Sequence, residues 1–599
     1  MPLRMPMVAE RDHIIDRGLT VVAGVTALLL VLLAFFGAQQ RFLPPELGLI
    51  IAVVCFSAAG IRLARLPYAR RVDAALQGQF RTQEVAPPDR AALWAFMRQR
   101  APRVAVVVFG LVIVALLGWP AGMQQLQATV TMEMTALAAP LLVAATSIAV
   151  LYCLAVLIGP WGAIRLGGPD ATPGYTLPSY LALVFTAGIA AGIVLWGPAE
   201  ALVHTQNPPP HAEVAAGTAS AAVTGVATSF IHWGITAWAA YAAIAVPLAY
   251  AVFNRDAPLR LASAVVPGAP SDAPVARLVD GVGLLAVIGG IATSLGLVAD
   301  QFVRGAAVSF GIGGSAIDRA VVVAAIILVA TVTAVTGVHR GVRRLAAVTV
   351  AAFALLWAVV LLLGPTGAVL SLAGAGILEY LWTLPAASIR TQGAWVLAWP
   401  VYNWAWWFSW APFAGVFTAA ISRGRTLRAV VAASVLATAG ATLAWFAVMG
   451  PAAIISLGDT SAGTPAVIGF RLLGTLPAGG LLSVALLALI MLFMITSADA
   501  AALVLATVDP QTDAATVPAA VVGWAVLLAV VTIAVVATGG AATLQALTVM
   551  TGVPIALVAL VAMATSVMWW RRRDGSERSL VRVVLARLPR VPTYHDLYR

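Results

Sequence analysis

The chain has 599 residues, of which 61% are hydrophobic and 10% charged, and its mean hydropathy is +0.96. Soluble domains carry roughly a quarter charged residues, so this composition excludes an ordinary soluble protein and indicates a polytopic membrane protein. The net charge of +11 comes from arginine, because the chain contains no lysine. Since these arginines lie between apolar stretches, they set membrane orientation, and no nucleic-acid partner is expected.

Apolar stretches of about 20 residues recur along the chain, and each is long enough to cross the hydrocarbon of a bilayer. We therefore predict an all-α protein with about fourteen transmembrane helices. The predicted spans are 18–38, 46–65, 103–122, 137–163, 178–205, 218–253, 276–302, 318–338, 345–363, 391–417, 425–450, 478–508, 517–538 and 544–570.

The arginines alternate between the two sides of these spans. Segment 62–103, the later loops at 340–344 and 423–428, and the tail are rich in arginine, whereas 123–136 and 206–218, interpreted as loops, contain none. This alternation predicts that both termini are cytoplasmic. Residues 364–384 are shorter and interrupted by Gly and Pro, which favours an amphipathic helix on the outer surface.

Tryptophan is concentrated in the stretch "WPVYNWAWWFSWAPF", residues 399–413. At helical spacing Tyr402, Trp406 and Trp410 share one face, with Trp407 beside them. Interfacial aromatic belts are the usual explanation for membrane tryptophans, but a belt belongs at the ends of a span. These residues lie in the middle of one.

A second aromatic set, Trp233, Trp238 and Tyr241, lies in the span 218–253. Converging indole faces form an electron-rich box that attracts a quaternary ammonium by cation–π contacts worth about 2 kcal/mol each when desolvated. The pattern thus favours a binding site for a methylated cation, and close packing of the rings is the alternative interpretation.

Two further stretches favour transport chemistry. In "TAGIAAGIVLWGPAEALVH", residues 186–204, Gly188 and Gly192 predict a broken helix whose backbone meets a ligand, or else close helix packing. In "MLFMITSADAA", residues 491–501, the hydroxyls of Thr496 and Ser497 offer oxygen ligands for a hard cation such as Na⁺. Alternatively, these hydroxyls bond back to their own helix.

The sequence resembles the betaine/choline/carnitine transporter (BCCT) family over residues 103–571. The match includes "AGIVLWGPAE", "GGIATSLGL", "YNWAWWFSWAPFAGVFTAAISRGRT" and "FMITSADAA", in the order of the family. The resemblance implies a leucine-transporter-like fold with two five-helix inverted repeats. The implied organisation is an extra two-helix segment with a basic cytoplasmic loop at 1–102, peripheral helices at 103–165, the first repeat at 178–363, an amphipathic linker helix at 364–384, the second repeat at 391–570 and a basic cytoplasmic tail at 571–599.

The resemblance also implies the site residues. A sodium site would lie between the first helix of one repeat and the third helix of the other. The residues assigned to substrate are Trp233, Trp238, Tyr241, Tyr402, Trp406, Trp407, Trp410, Gly188 and Gly192. Those assigned to sodium are Thr186, Ile189, Phe493, Thr496 and Ser497.

Two departures from the family pattern bear on substrate and ion. Gly192 stands where proton-coupled choline carriers have an acidic residue, which suggests a substrate with its own carboxylate, such as glycine betaine, and sodium coupling. Val287 and Ile291 stand where some members have threonines of a second sodium site, so one sodium per substrate is as plausible as two.

The expected function is secondary active import of glycine betaine by sodium symport and alternating access, in the plasma membrane. A choline or carnitine transporter or exchanger is the alternative. A membrane-embedded enzyme using His204 or His232 is disfavoured, because no nucleophile or orienting group accompanies either histidine. The implied partners are the substrate, Na⁺ as coupling ion and the lipid bilayer; no other cofactor is expected, and the family suggests a homotrimer.

Overall fold

A computed structural model describes residues 96–188, 190–270, 272–335, 339–458, 463–508, 517–538 and 540–573. These residues form helices and one isolated backbone bridge, between Arg165 and Thr426. The predicted spans at 18–38 and 46–65, and all but the first three residues of the tail, lie outside the described residues.

The first part of the described chain holds ten helices longer than one or two turns. In order they are α1 (Arg100–Gly118), α2 (Pro120–Ile158), α3 (Leu177–Thr186), α4 (Ala190–Gln206), α5 (Ala219–Trp233), α6 (Ile235–Arg255), α7 (Pro274–Phe310), α8 (Ala316–Val335), α9 (His339–Leu363) and α10 (Thr366–Ala387).

The second part begins with two helices that each follow a π-helical turn. α11 (Tyr402–Ala420) follows the turn Leu397–Val401, and α12 (Thr438–Leu457) follows Ala432–Ala437. The remaining helices are α13 (Pro465–Gly474), α14 (Gly479–Val508), α15 (Val517–Thr538) and α16 (Gly540–Arg573).

Nine helical stretches of the described ranges, with α5 and α6 counted together as one, are long and apolar enough to cross a membrane. The chain is therefore a multi-pass membrane protein whose described residues are helical. The predicted span 178–205 falls short of that length because it is divided into α3 and α4. Helix α10 meets the same criteria as the other candidates, so its placement on the membrane surface stays a prediction.

The segment 123–136 is helical, and its interpretation as a loop was wrong. It lies within α2, which begins with Pro120 at the first turn, where a missing N–H costs nothing. Between Gly122 and Pro140 the sequence contains no Gly or Pro and is rich in Gln, Met, Leu and Ala, all good helix formers. The absence of arginine from 123–136 therefore did not indicate a loop, since these residues belong to a helix that extends beyond the apolar span.

Two helices are interrupted inside the bundle. The break predicted from the glycines is confirmed: α3 ends at Thr186 and α4 begins at Ala190. A second break, which we did not predict, separates α5 from α6 at Gly234, whose ψ of −142° leaves the helical region. The Ile231 carbonyl beside this break accepts a hydrogen bond of 2.5 Å from the Thr236 hydroxyl, so this backbone group is satisfied by a side chain.

The breaks lie at the centre of the helix packing. Helix α11 packs against α6, α7 and α16, while α4 packs against α5, α12 and α13. Helix α14 contacts α7, α8, α9 and α15, and the short α3 lies against α9. The candidate site is formed where α4, α5, α6, α11 and α12 meet. Grouping of the helices into two inverted repeats stays a prediction.

Close approach of α16 to α11 depends on Gly552. A Cβ at this position would overlap the carbonyl oxygen of Ala405, one residue before Trp406. We expect Gly552→Ala to lower the free energy of unfolding by about 1–3 kcal/mol, because backbone cannot move aside as a side chain does. The measurement is the thermal unfolding midpoint of purified protein in detergent.

Gly440→Ala in α12 is the matched control, since a Cβ there meets no neighbouring atom within 4 Å. An alanine in a helix interior is favoured over glycine by roughly 0.5–1 kcal/mol, so this variant should be unchanged or slightly stabilised. Equal midpoints for the two variants would contradict the close contact.

Candidate functional site: an aromatic box beside two helix breaks

Five aromatic rings from two directions converge at the break between α5 and α6. Trp233 is the last residue of α5, and Trp238 and Tyr241 lie on the first turns of α6. Trp406 and Trp407 of α11 face them. All five side chains are at most 3% exposed, and we call this set the aromatic box.

Trp407 is the centre of the aromatic box. Its ring centroid lies 5.6 Å from that of Trp233, 5.4 Å from Trp238 and 5.0 Å from Tyr241. Trp406 completes the contact on the other side of Trp233, at 5.8 Å. Trp233 meets Trp406 and Trp407 edge to face, at interplanar angles of 82° and 73°, the arrangement favoured by the aromatic quadrupole. The contacts of Trp407 with Trp238 and Tyr241 are tilted, at 59° and 48°.

The indole N–H groups of the aromatic box divide into two kinds. Trp233 donates to Glu200 Oε2 at 2.5 Å, and Trp238 donates to Thr442 Oγ1 at 3.1 Å. The buried N–H groups of Trp406 and Trp407 have no hydrogen-bond partner among the described residues. Two rings are thus fixed by their polar edges, and two buried donors remain available.

Tyr402 and Trp410 lie on α11 but at the margins of the box. The ring of Tyr402 is 6.3 Å from Trp406, one turn away. Trp410 turns toward α7, where its N–H donates to Gly290 O at 3.0 Å and its ring packs on Phe413. Of the aromatic residues assigned to substrate, the structure therefore brings five into mutual contact and places Trp410 outside that contact.

Gly188 connects the first helix break to the aromatic box. A Cβ on Gly188 would lie 2.5 Å from the outer ring of Trp238, so only glycine allows the two to approach so closely. Gly192, also assigned to substrate, is buried in α4. Between them, Ile189 lies outside the described residues.

The residues assigned to sodium meet at the end of α3. Ser497 of α14 donates a hydrogen bond of 3.2 Å to Thr186 O, the backbone oxygen beside the break. The hydroxyls of Thr186 and Thr496 instead donate to their own helices, to Ala182 O at 2.8 Å and Leu492 O at 2.7 Å. Phe493 is buried beside them, its ring 6.1 Å from Phe185.

Val287 and Ile291 are buried aliphatic side chains of α7. Neither carries an atom that can coordinate a cation, so no second sodium site can be formed by these two side chains.

Sequence reasoning missed a buried polar cluster next to the aromatic box. Glu200 and His204 lie one turn apart on α4, and His232 of α5 hydrogen-bonds Glu200 Oε1 through Nδ1 at 2.5 Å. The i, i+4 spacing of Glu200 and His204 was a usable signal. The third member was not predictable, because it depends on how α4 packs against α5.

The loops at the two ends of the bundle carry perturbed groups. Partial burial and the charge of Arg390 lower the pKa of His211, so this loop imidazole is mainly neutral at pH 7. At the opposite end, partial burial lowers the pKa of Arg425, whose guanidinium lies 4.0 Å over the ring of Tyr180. Arg425 also donates to Tyr175 O, which ties the start of α3 to the segment after α11.

Comparison with known proteins finds one matching family and several similar transporters. The model of the BCCT, betaine/carnitine/choline family transporter, matches residues 102–575. Glycine betaine transporter 1 of Vibrio parahaemolyticus is 33% identical over 449 residues, which cover 72% of this chain and 84% of the relative. A glycine betaine/proline/choline transporter of the same organism is 31% identical, covering 70% of this chain and 80% of the relative. The glycine betaine transporter OpuD of Bacillus subtilis is 30% identical, covering 69% and 83%.

The bond from Trp238 to Thr442 is testable by removing the acceptor. We expect Thr442→Val to lower the free energy of unfolding by about 1–3 kcal/mol, because it leaves the buried Trp238 N–H without a partner. Thr438→Val, one turn earlier on α12, is the control, since its hydroxyl donates only within the helix. Thermal unfolding in detergent measures both, and an equal loss in the two variants would show that the Trp238 bond contributes nothing.

Proposed function

The chain belongs to the betaine/carnitine/choline transporter family, and from this premise we propose that it imports glycine betaine by sodium symport. The observation that carries the proposal is the aromatic box of Trp233, Trp238, Tyr241, Trp406 and Trp407. Three relatives are named as glycine betaine transporters, one of them also for proline and choline.

The aromatic box suits a quaternary ammonium better than a small inorganic cation. Its rings attract positive charge through their faces, each by about 2 kcal/mol or more when water is excluded. A trimethylammonium group is large, weakly hydrated and apolar at its surface, so it loses little hydration on entering. A Na⁺ or K⁺ ion would lose a tight hydration shell and gain no oxygen ligand from the rings.

The free indole N–H groups favour a substrate that also carries a carboxylate. Trp406 and Trp407 each have a buried donor without a partner among the described residues. A carboxylate accepting one of them forms a charge-assisted bond, which is roughly twice as strong as a neutral one. Glycine betaine and carnitine have this group and choline does not, so choline leaves the stronger contact unused.

Sodium is the proposed coupling ion because oxygen atoms converge beside the break after α3. The Thr186 carbonyl and the Ser497 hydroxyl are already 3.2 Å apart, and Thr496 lies next to Ser497. Na⁺ would lie between these two oxygens as their shared ligand partner, with the Ser497 hydroxyl keeping its proton and turning it away from the ion. Gly188, which lies between α3 and α4, also contacts Trp238 of the aromatic box. Binding of the ion and binding of the substrate would therefore both stabilise the backbone of this break.

The proposal includes alternating access around this site, with the break after Thr186 and the break at Gly234 as points where the bundle bends. It places the protein in the plasma membrane with both termini cytoplasmic, as the arginine distribution predicts. A homotrimer is proposed on the family resemblance alone.

Replacing the central ring tests the substrate. We expect Trp407→Leu to weaken radiolabelled betaine uptake into proteoliposomes about tenfold or more, since one desolvated cation–π contact of about 2 kcal/mol is lost. Trp407→Phe keeps a ring face, so its betaine uptake should be intermediate between that of the unmodified protein and that of Trp407→Leu. Competition by unlabelled choline and carnitine, measured in the same vesicles, ranks the headgroups with and without a carboxylate.

The matched control is Trp382→Leu on α10, where the indole is 83% exposed and touches none of the box residues. This variant should transport as the unmodified protein does. Unchanged betaine affinity in Trp407→Leu, or an equal loss in Trp382→Leu, would contradict the aromatic box as the substrate site.

Removing one hydroxyl tests the ion. We expect Ser497→Ala to raise the sodium concentration for half-maximal uptake about tenfold, because Na⁺ loses one of its few oxygen ligands. Ser483→Ala, a buried serine of the same helix α14, is the control and should leave this concentration unchanged. Betaine uptake that proceeds equally well without a sodium gradient would rule out sodium coupling.

A further inference from the structure

Glu200, His204 and His232 form a compact cluster of ligand-type side chains. The three residues are at most 1% exposed, and Glu200 Oε1 lies 2.5 Å from His232 Nδ1 and 3.6 Å from His204 Nε2. One ligand atom from each residue lies within 4.8 Å of the other two. The cluster belongs neither to the aromatic box nor to the sodium residues.

We propose that Glu200, His204 and His232 bind a divalent transition-metal cation of the Zn²⁺ class. Two neutral imidazoles and one carboxylate are a common ligand set for first-row divalent metals. This inference concerns a second cation site and holds whether or not the proposed substrate is right.

The hydrogen bonding of the histidines favours a metal over a purely structural network. Both ring nitrogens of His204, and Nε2 of His232, have no hydrogen-bond partner among the described residues. A buried structural network normally satisfies its polar atoms, because each unmade bond costs about 1–3 kcal/mol. A cation between His204 Nε2 and Glu200 Oε1 would give the His204 nitrogen the partner that it lacks.

The distances require only small movements. Metal–ligand bonds of about 2.0–2.1 Å at tetrahedral angles place neighbouring ligand atoms roughly 3.3 Å apart. The two separations from Glu200 Oε1, 2.5 Å and 3.6 Å, lie on either side of that value. The site would form by opening the bond to His232, whose ring proton would pass from Nδ1 to the unpartnered Nε2, and by drawing His204 slightly inward.

The surroundings orient the ligands and exclude water. The second carboxylate oxygen of Glu200 accepts from Trp233 Nε1, which fixes the carboxylate plane as outer-shell partners of metal sites do. The His204 ring lies 4.4 Å from Trp399 and 5.4 Å from Trp395, and Trp395 in turn contacts His211 of the loop 207–218. A single aromatic layer therefore separates the cluster from that loop.

The test measures metal binding directly, without transport. The full chain, purified through a tag that contains no histidine and stripped with a chelator, is equilibrated with micromolar Zn²⁺, and bound zinc is counted by elemental analysis after gel filtration. We expect one zinc per chain. Substitution of Co²⁺ should give visible d–d absorption bands typical of nitrogen and oxygen ligands in a site of low coordination number.

Variants separate this site from the other histidines. His204→Gln and Glu200→Gln should each weaken zinc binding roughly tenfold or more, because each removes one ligand. His211→Gln, in the neighbouring loop, should bind as the unmodified chain does. Each variant is first checked for a monodisperse gel-filtration peak, and two independent ligand variants guard against one that fails to fold.

The proposal is overturned if the unmodified chain retains no zinc at micromolar concentration. It is equally overturned if folded His204→Gln retains as much zinc as the unmodified chain, because the metal then sits on other residues such as His13, His339 or His595.

Discussion

A helix can be interrupted inside a bilayer only where protein replaces lipid around the freed backbone groups, because an unsatisfied polar group in hydrocarbon costs several kcal/mol. Both interruptions described here meet that constraint. Ser497 donates to the Thr186 carbonyl at the end of α3, and at the second break the Thr236 hydroxyl donates to Ile231 O at 2.5 Å. The aromatic box lies against these interruptions, so the ring positions depend on how the backbone is satisfied.

Glycines and large aromatic side chains are matched across the helix contacts. The space beside Gly188 is filled by Trp238, and that beside Gly197 by Trp445. In a membrane, lipid tails are as apolar as leucine, so helix association depends on close packing more than on the hydrophobic effect. Large rings in a helix bundle therefore require small residues facing them, and Gly188, which predicted the helix break, is also a site of close contact.

The sequence predicted the parts of the site that depend on local spacing. The composition gave the membrane class, the aromatic residues of two spans identified the walls of the box, and the glycines identified the break after α3. The features of the site that spacing did not predict depend on packing between helices. Trp410 shares a face with Trp406 by spacing, but a neighbouring helix offers it the Gly290 carbonyl. His232 meets Glu200 only through the contact of α4 with α5.

The interpretation of residues 123–136 as a loop was wrong because it used hydropathy alone. Hydropathy predicts which part of a helix lies in lipid, but a helix can continue beyond that part. These residues are too polar for a membrane span, yet their composition favours a helix.

The π-helical turn Leu397–Val401 has a geometric consequence for Trp399, which lies within it, and for the tryptophans that follow it. Such a turn holds one residue more than an α-helical turn, which offsets the angular register of the residues after it by about 100°. Trp399 consequently faces His204, while Trp406 and Trp407 face Trp233. One continuous tryptophan-rich segment thereby contacts both the Glu200–His204–His232 cluster and the aromatic box. A single helical wheel drawn through residues 395–407 would place Trp399 and Trp406 on the same face.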